Sequence, residues 1–214
     1  MKYRRSVIRQ WTPILWIASA LLLSACSLPR IIVLHDPLTA EEHDNLGRIY
    51  ESQGKFDLAL EQYREALRKD KNHLPSLLLL GDVLYRTNDY PGAESAYTKA
   101  LKLDPKNGDV LNDLAWVYIR TGKNLNKAKE MISQALTLNP AHRPYYLDTL
   151  GVVLLKLGSA AEAITALQEA VDTLPKENAD LLAEAEGHLA DAYKAAGDET
   201  KYREAVERQQ ELRK

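Results

Sequence analysis

The chain has 214 residues, 45% hydrophobic and 27% charged, which excludes collagen-like, disordered and polytopic membrane classes and suits one large or two small domains. A single Phe and three Trp argue against an aromatic-rich sandwich core and for an all-α fold, while a single Cys excludes an intrachain disulfide and a cysteine-built zinc site. Lys2, Arg4, Arg5 and Arg9 supply four of the positive charges, so a net charge of −2 becomes −6 beyond them, and a mildly acidic body of this kind lacks the basic footprint of a nucleic-acid binder.

Residues 1–10 are basic, and residues 11–25 form an apolar run that ends in small residues just before Cys26. This is the layout of a secretory signal, and with Pro13 inside it the run falls short of the roughly 20 apolar residues that span a bilayer. Leu23, Ser24, Ala25 and Cys26 resemble the lipobox of bacterial lipoprotein signal peptides. The resemblance implies cleavage of residues 1–25, a diacylglyceryl thioether on Cys26 and an acylated new N-terminus. Two or more acyl chains give stable anchoring. Ser27 stands where Asp would resemble an inner-membrane retention signal, so in a Gram-negative host the expected place is the outer membrane, facing the periplasm.

Residues 26–39 carry two prolines and no helical period and read as the lipidated Cys with a short tether; residues 31–34 are a possible strand that covers the first helix pair or binds a partner. Thr39 and Glu42 then form a capping box, which sets the start of the folded body near residue 40.

From there the chain repeats itself. Gly47, Gly81, Ala115 and Gly151, each preceded by Leu, follow one another at 34, 34 and 36 residues. A large residue returns at Tyr50, Leu84, Tyr118 and Leu154, and a turn residue at Gly54, Asn88, Gly122 and Gly158. A second helix carries Ala59, Ala93, Ala128 and Ala163, then Tyr63, Tyr97, Ile132 and Leu167, then Ala66, Ala100, Ala135 and Ala170, steps of four and three that place all three rows on one face. Pro105, Pro140 and Pro175 close three of the units, whereas Lys71 stands at the first closure and the third unit has an extra residue near Asn124.

This pattern resembles the tetratricopeptide repeat, a helix-turn-helix unit of 34 residues. The resemblance implies an α-solenoid superhelix with repeats at 40–73, 74–107, 108–142 and 143–177, then a degenerate fifth unit and polar capping helix at 178–214. Small residues at Gly47, Ala59, Gly81, Ala93, Ala115, Ala128, Gly151 and Ala163 are the expected packing positions.

No phosphate-binding glycine loop, His-Glu-x-x-His run, nucleophile elbow or paired metal ligands occur, so no catalysis, cofactor or metal is expected. Of the five His, His35 and His142 fall in connections, His73 at a repeat junction, and His43 and His188 on first helices as solvated side chains. In repeats of this family the first helices line the concave face. Helical spacing from the landmarks then places Asp44, Leu78, Asn112 and Asp148 in one row, Arg48, Asp82, Trp116 and Val152 in a second, and Ser52, Arg86, Arg120 and Lys156 in a third, with Tyr85 and Ile119 beside it. Leu78, Tyr85, Arg86, Asn112, Trp116, Arg120, Asp148 and Lys156 form the expected groove for a protein or peptide segment with an acidic or C-terminal carboxylate group. Two other readings stay open: a ladder of solvated charges, and a Trp116 packed between neighbouring first helices. The function expected is a non-catalytic scaffold or assembly factor in the cell envelope, with the lipid as its membrane contact and no small-molecule substrate. The alternatives are an accessory of an envelope enzyme, since residues 35–63 loosely resemble repeat modules that accompany papain-like cysteine peptidases, and a structural part of a pilus or polysaccharide export machine.

Overall fold

Short connections between amphipathic segments force neighbouring helices to lie antiparallel, and the chain builds its whole body this way. The computed structural model describes residues 36–214; the lipobox with Cys26, and the tether as far as His35, lie outside the described residues. Ten α-helices follow: α1 Ala40–Ser52, α2 Phe56–Lys69, α3 Leu74–Arg86, α4 Tyr90–Leu103, α5 Gly108–Thr121, α6 Leu125–Leu138, α7 Arg143–Lys156, α8 Ala160–Thr173, α9 Ala179–Ala196 and α10 Glu199–Leu212, with one 3-10 turn at Pro140–His142. Consecutive odd and even helices pack as pairs, each pair stacks on the next, and the first helices α1 and α3, α5 and α7, and α7 and α9 also touch. The fold is an all-α stack of tetratricopeptide helix pairs. Among the described residues no helix is long and apolar enough to cross a membrane.

Local chemistry explains where the helices begin. Thr39 and Glu42 form the expected capping box, with Glu42 N–H donating to Thr39 Oγ1 at 3.2 Å and Thr39 N–H to Glu42 Oε2 at 2.8 Å. Asp89, Asn107, Asn178 and Asp198 cap four more starts with their side chains. The intra-pair turns need a left-handed residue. Gly54, Gly122 and Gly158 take it at φ 71°, 66° and 83°, and Asn88 takes it at φ 63°, as its short polar side chain permits. The extra residue of the third pair is absorbed in the turn, where Asn124 sits at φ 53°.

Inside each pair a small residue on the first helix faces a large one on the second. A Cβ on Gly81 would lie 2.5 Å from Tyr97 Cε1, and those on Gly47 and Gly151 would overlap Tyr63 and Leu167 in the same way. Where Ala115 replaces glycine, Ile132 replaces the ring, and both are fully buried. The buried phenols reach carboxylates at their tips: Tyr63 Oη donates to Glu51 at 3.0 Å, Tyr97 to Asp82 at 2.7 Å, Tyr118 to Glu94 at 3.1 Å and Tyr146 to Asp109 at 2.6 Å. The last pair departs from its predecessors: α9 runs for 18 residues because its first turn is added after Pro175, and α10 buries only Ala205 fully.

Candidate functional site

The first helices share one face, and between α3, α5, α7 and α9 that face opens into a cavity of about 410 Å³. Tyr85 enters from α3, Asn112, Trp116 and Arg120 from successive turns of α5, Tyr145, Asp148 and Thr149 from α7, and Leu181, Glu184 and His188 from α9; Leu174, in the connection between α8 and α9, closes one side. The spacing on α5 is two steps of four from Asn112 through Trp116 to Arg120, so one helix presents an amide, an indole and a guanidinium along a single stripe.

Each of these groups is held by a neighbour. His188 Nδ1 is 2.8 Å from Asp148 Oδ1, and its ring lies 6.0 Å from Trp116, centroid to centroid, at 38°. Burial, the largest influence, disfavours the charged imidazole, yet the hydrogen bond and charge of Asp148, with Glu184 and Asp191 beyond it, leave His188 above its ordinary value. Arg120 is exposed, its Nε donates to Tyr90 Oη at 3.3 Å, and it has no carboxylate partner among the described residues. Burial pushes the Tyr85 phenol up, which keeps it a neutral hydroxyl, and its ring meets Tyr90 edge-on at 5.8 Å. Behind Asn112, Asp113 is pushed up to about 7 by burial and by the nearby Asp82 and Asp109, against the hydrogen bond from Asn112. The Asn112 Oδ1 is buried with no hydrogen-bond partner among the described residues.

The cavity therefore brings together five of the eight groove residues expected from the sequence: Tyr85, Asn112, Trp116, Arg120 and Asp148. Three lie elsewhere. Leu78 is half-buried against the core. Arg86 turns toward the first repeat, where it pairs with Glu51 and lies 4.7 Å above the Phe56 ring. Lys156 borders the next hollow, with Val152, Leu155 and Asp191. The basic ladder is thus divided among three separate surroundings, because a carboxylate 35 residues away captures its first member. His43 and His188 are also not solvated: His43 is buried, with Nδ1 2.8 Å from Gln62 Oε1, and His188 is only 21% exposed. Trp116 is half-buried, and its indole both packs on His188 and faces the cavity.

Sequence reasoning missed Tyr145, Thr149, Leu174, Leu181, Glu184 and His188. A usable signal existed for two of them. Tyr145 and Glu184 each stand six residues before the small residue of their own unit, Gly151 and Ala190, one helical turn beyond the rows considered.

The profile of the cytochrome c-type biogenesis protein H TPR domain matches residues 54–181. Among curated proteins, the cellulose synthase operon protein C of Pseudomonas fluorescens is 34% identical over 96 residues, which are 45% of this chain and 7% of that protein. The Arabidopsis thaliana protein CTR9 homolog is 27% identical over 134 residues, 61% of this chain and 12% of that protein, so the chain spans a small part of these relatives. Among solved structures, MamA from Desulfovibrio magneticus RS-1 superposes with a TM-score of 0.68 at 23% identity, over 81% of this chain and 94% of that one. YrrB, described as a TPR protein with an unusual peptide-binding site, superposes with a TM-score of 0.60 at 21% identity, over 81% and 86%. At these identities the structures speak for the fold alone.

Proposed function

The chain belongs to the family of the cytochrome c-type biogenesis protein H TPR domain, and from that premise we propose that its TPR protein-interaction domain serves, without catalysis, as an assembly factor that docks a segment of another protein in the cavity between α3, α5, α7 and α9. The observation that carries this reading is the composition of that cavity: a partly open indole, two tyrosines and two leucines beside Glu184 and the Asp148–His188 pair, with the Arg120 guanidinium, which has no carboxylate partner among the described residues, at one end. Aromatic and aliphatic walls seat an apolar anchor of the segment, and Arg120 takes a carboxylate or backbone carbonyl beside it. The Asn112 carbonyl, buried without a partner among the described residues, suits an amide site that reorganises when a peptide backbone arrives. The family's tie to biogenesis of another protein agrees with an assembly role.

The same proposal places the domain on the periplasmic side of an envelope membrane, tethered by lipid on Cys26, on the strength of the basic and apolar run ahead of Leu23, Ser24 and Ala25. A role within a polysaccharide export machine is the second reading, favoured by the likeness to cellulose synthase operon protein C.

Crosslinked pull-downs from envelope fractions test the docking claim with wild type against an Asn112→Ala/Trp116→Ala/Arg120→Ala variant of unchanged melting curve. A partner lost from the variant is the expected result, and a partner retained by both overturns the site. Metabolic labelling with palmitate tests the anchor: label on wild type and none on Cys26→Ser is expected, and unlabelled wild type refutes it.

A further inference from the structure

A different kind of hollow forms where the end of one second helix, the connection after it and the next second helix meet. In the first such place Leu67, Leu77 and Leu103 make an apolar floor, with Leu103 42% exposed, beneath a rim of Lys71, Lys99 and Lys102; the space is about 380 Å³. Lys99 and Lys102 are one turn apart on α4, Lys71 faces them from the α2–α3 connection, and none of the three makes an ion pair among the described residues.

One repeat further on, the same hollow recurs with Leu138 at the position of Leu103, but Pro105, Gln134 and Thr137 stand where Lys71, Lys99 and Lys102 do, and Lys106 is the one lysine that lines it. In the third unit the matching positions hold Pro140, Glu169 and Asp172, with Glu169 bound to Arg143 at 2.8 Å. The repeat packs equally well with three lysines, with neutral residues or with acidic ones at these three positions, so packing does not require the lysines. Three like charges without an ion-pair partner among the described residues repel each other around one apolar hollow and leave Leu103 open to solvent above the half-buried Leu67 and the buried Leu77, an arrangement that an anionic occupant relieves.

We propose that the Lys71/Lys99/Lys102 hollow is a second docking site, separate from the cavity on the first-helix face, and that its occupant is a protein segment with a large apolar side chain flanked by Asp or Glu. The leucine floor seats the apolar group and the rim pairs with the carboxylates. An anionic membrane surface is the poorer fit: a flat sheet of headgroups leaves a concave leucine floor unfilled, and the same edge of the molecule turns acidic two repeats later.

Short random peptides displayed on phage, selected on the full-length protein, are the probe. Selected peptides are expected to carry Leu, Ile or Phe between acidic residues and to bind Lys71→Glu/Lys99→Glu/Lys102→Glu about tenfold more weakly. All three positions are exposed, so this variant keeps its melting curve. Binding should survive both Trp116→Ala, which disables the other site, and Lys106→Glu beside the neighbouring hollow. Selection without acidic enrichment, loss of binding in Trp116→Ala, or equal binding by the charge-reversed variant overturns the proposal. So does lysine-dependent binding of phosphatidylglycerol vesicles where the peptides fail, which would assign the rim to lipid.

Discussion

At the scale of single residues, the molecule places two ionisable groups where burial and neighbouring charge set their protonation. Asp113 holds its proton up to about pH 7, whereas an unfolded Asp loses it near pH 3.9. Its folded value is the raised one, so its contribution to stability is complete below about pH 4 and is lost as pH rises through 7. Asp113→Asn should therefore melt higher than wild type at pH 8, by about 1–2 kcal/mol, with a flatter profile between pH 5 and 8; an unchanged pH slope in thermal melts would refute the assignment. His188 is likewise raised, held charged by Asp148 against burial, and its contribution is present below the ordinary His value and lost as pH rises through the folded one. Because the imidazole packs on Trp116, its titration is visible in indole emission once Trp11 and Trp16 are replaced by Phe. Asp148→Asn should move that midpoint to lower pH, and emission indifferent to pH would contradict the pairing. These residues also mark how far the sequence could be read. Asn112, Trp116 and Arg120 were legible because Ala115 fixes their register, but the closure of the cavity by His188 was not, since the residues added after Pro175 shift α9 against the repeat.

At the scale of helices and turns, the repeat rests on matched sizes. Glycine is needed where Tyr97 lies against the α3 backbone, and the ring is only 2% exposed, with no room to yield. Gly81→Ala should cost about 1–3 kcal/mol as overpacking does, and Tyr97→Ile should recover part of that loss, as the Ala115 and Ile132 pair already shows for its own repeat. Additive losses in the double-mutant cycle would mean that the two do not meet. The turn at Gly158, φ 83°, is open to solvent, so Gly158→Ala should cost about 1 kcal/mol through the backbone alone. Pair boundaries, caps and turns were readable from residue types because each answers a local demand. The fate of Arg86 was not, because its partner Glu51 belongs to another repeat and pairs with it only through the stacking of one repeat on the next.

At the scale of the whole molecule, repetition supplies stability while departures from repetition supply sites. The cavity forms where four first helices with unlike side chains converge, and it is closed by the unit that matches the repeat least. Stability and binding are accordingly separable: Arg120→Ala, an exposed side chain with one hydrogen bond to Tyr90, should change stability by no more than about 0.5 kcal/mol while weakening partner capture. The measurement that bears most directly on the central claim is hydroxyl-radical footprinting of the full chain with and without its captured partner. Docking in the cavity predicts suppressed oxidation at Trp116, Tyr145 and His188 with Leu138 and Tyr202 unchanged; protection confined to Leu138 or Tyr202, with Trp116 as reactive as before, would contradict it.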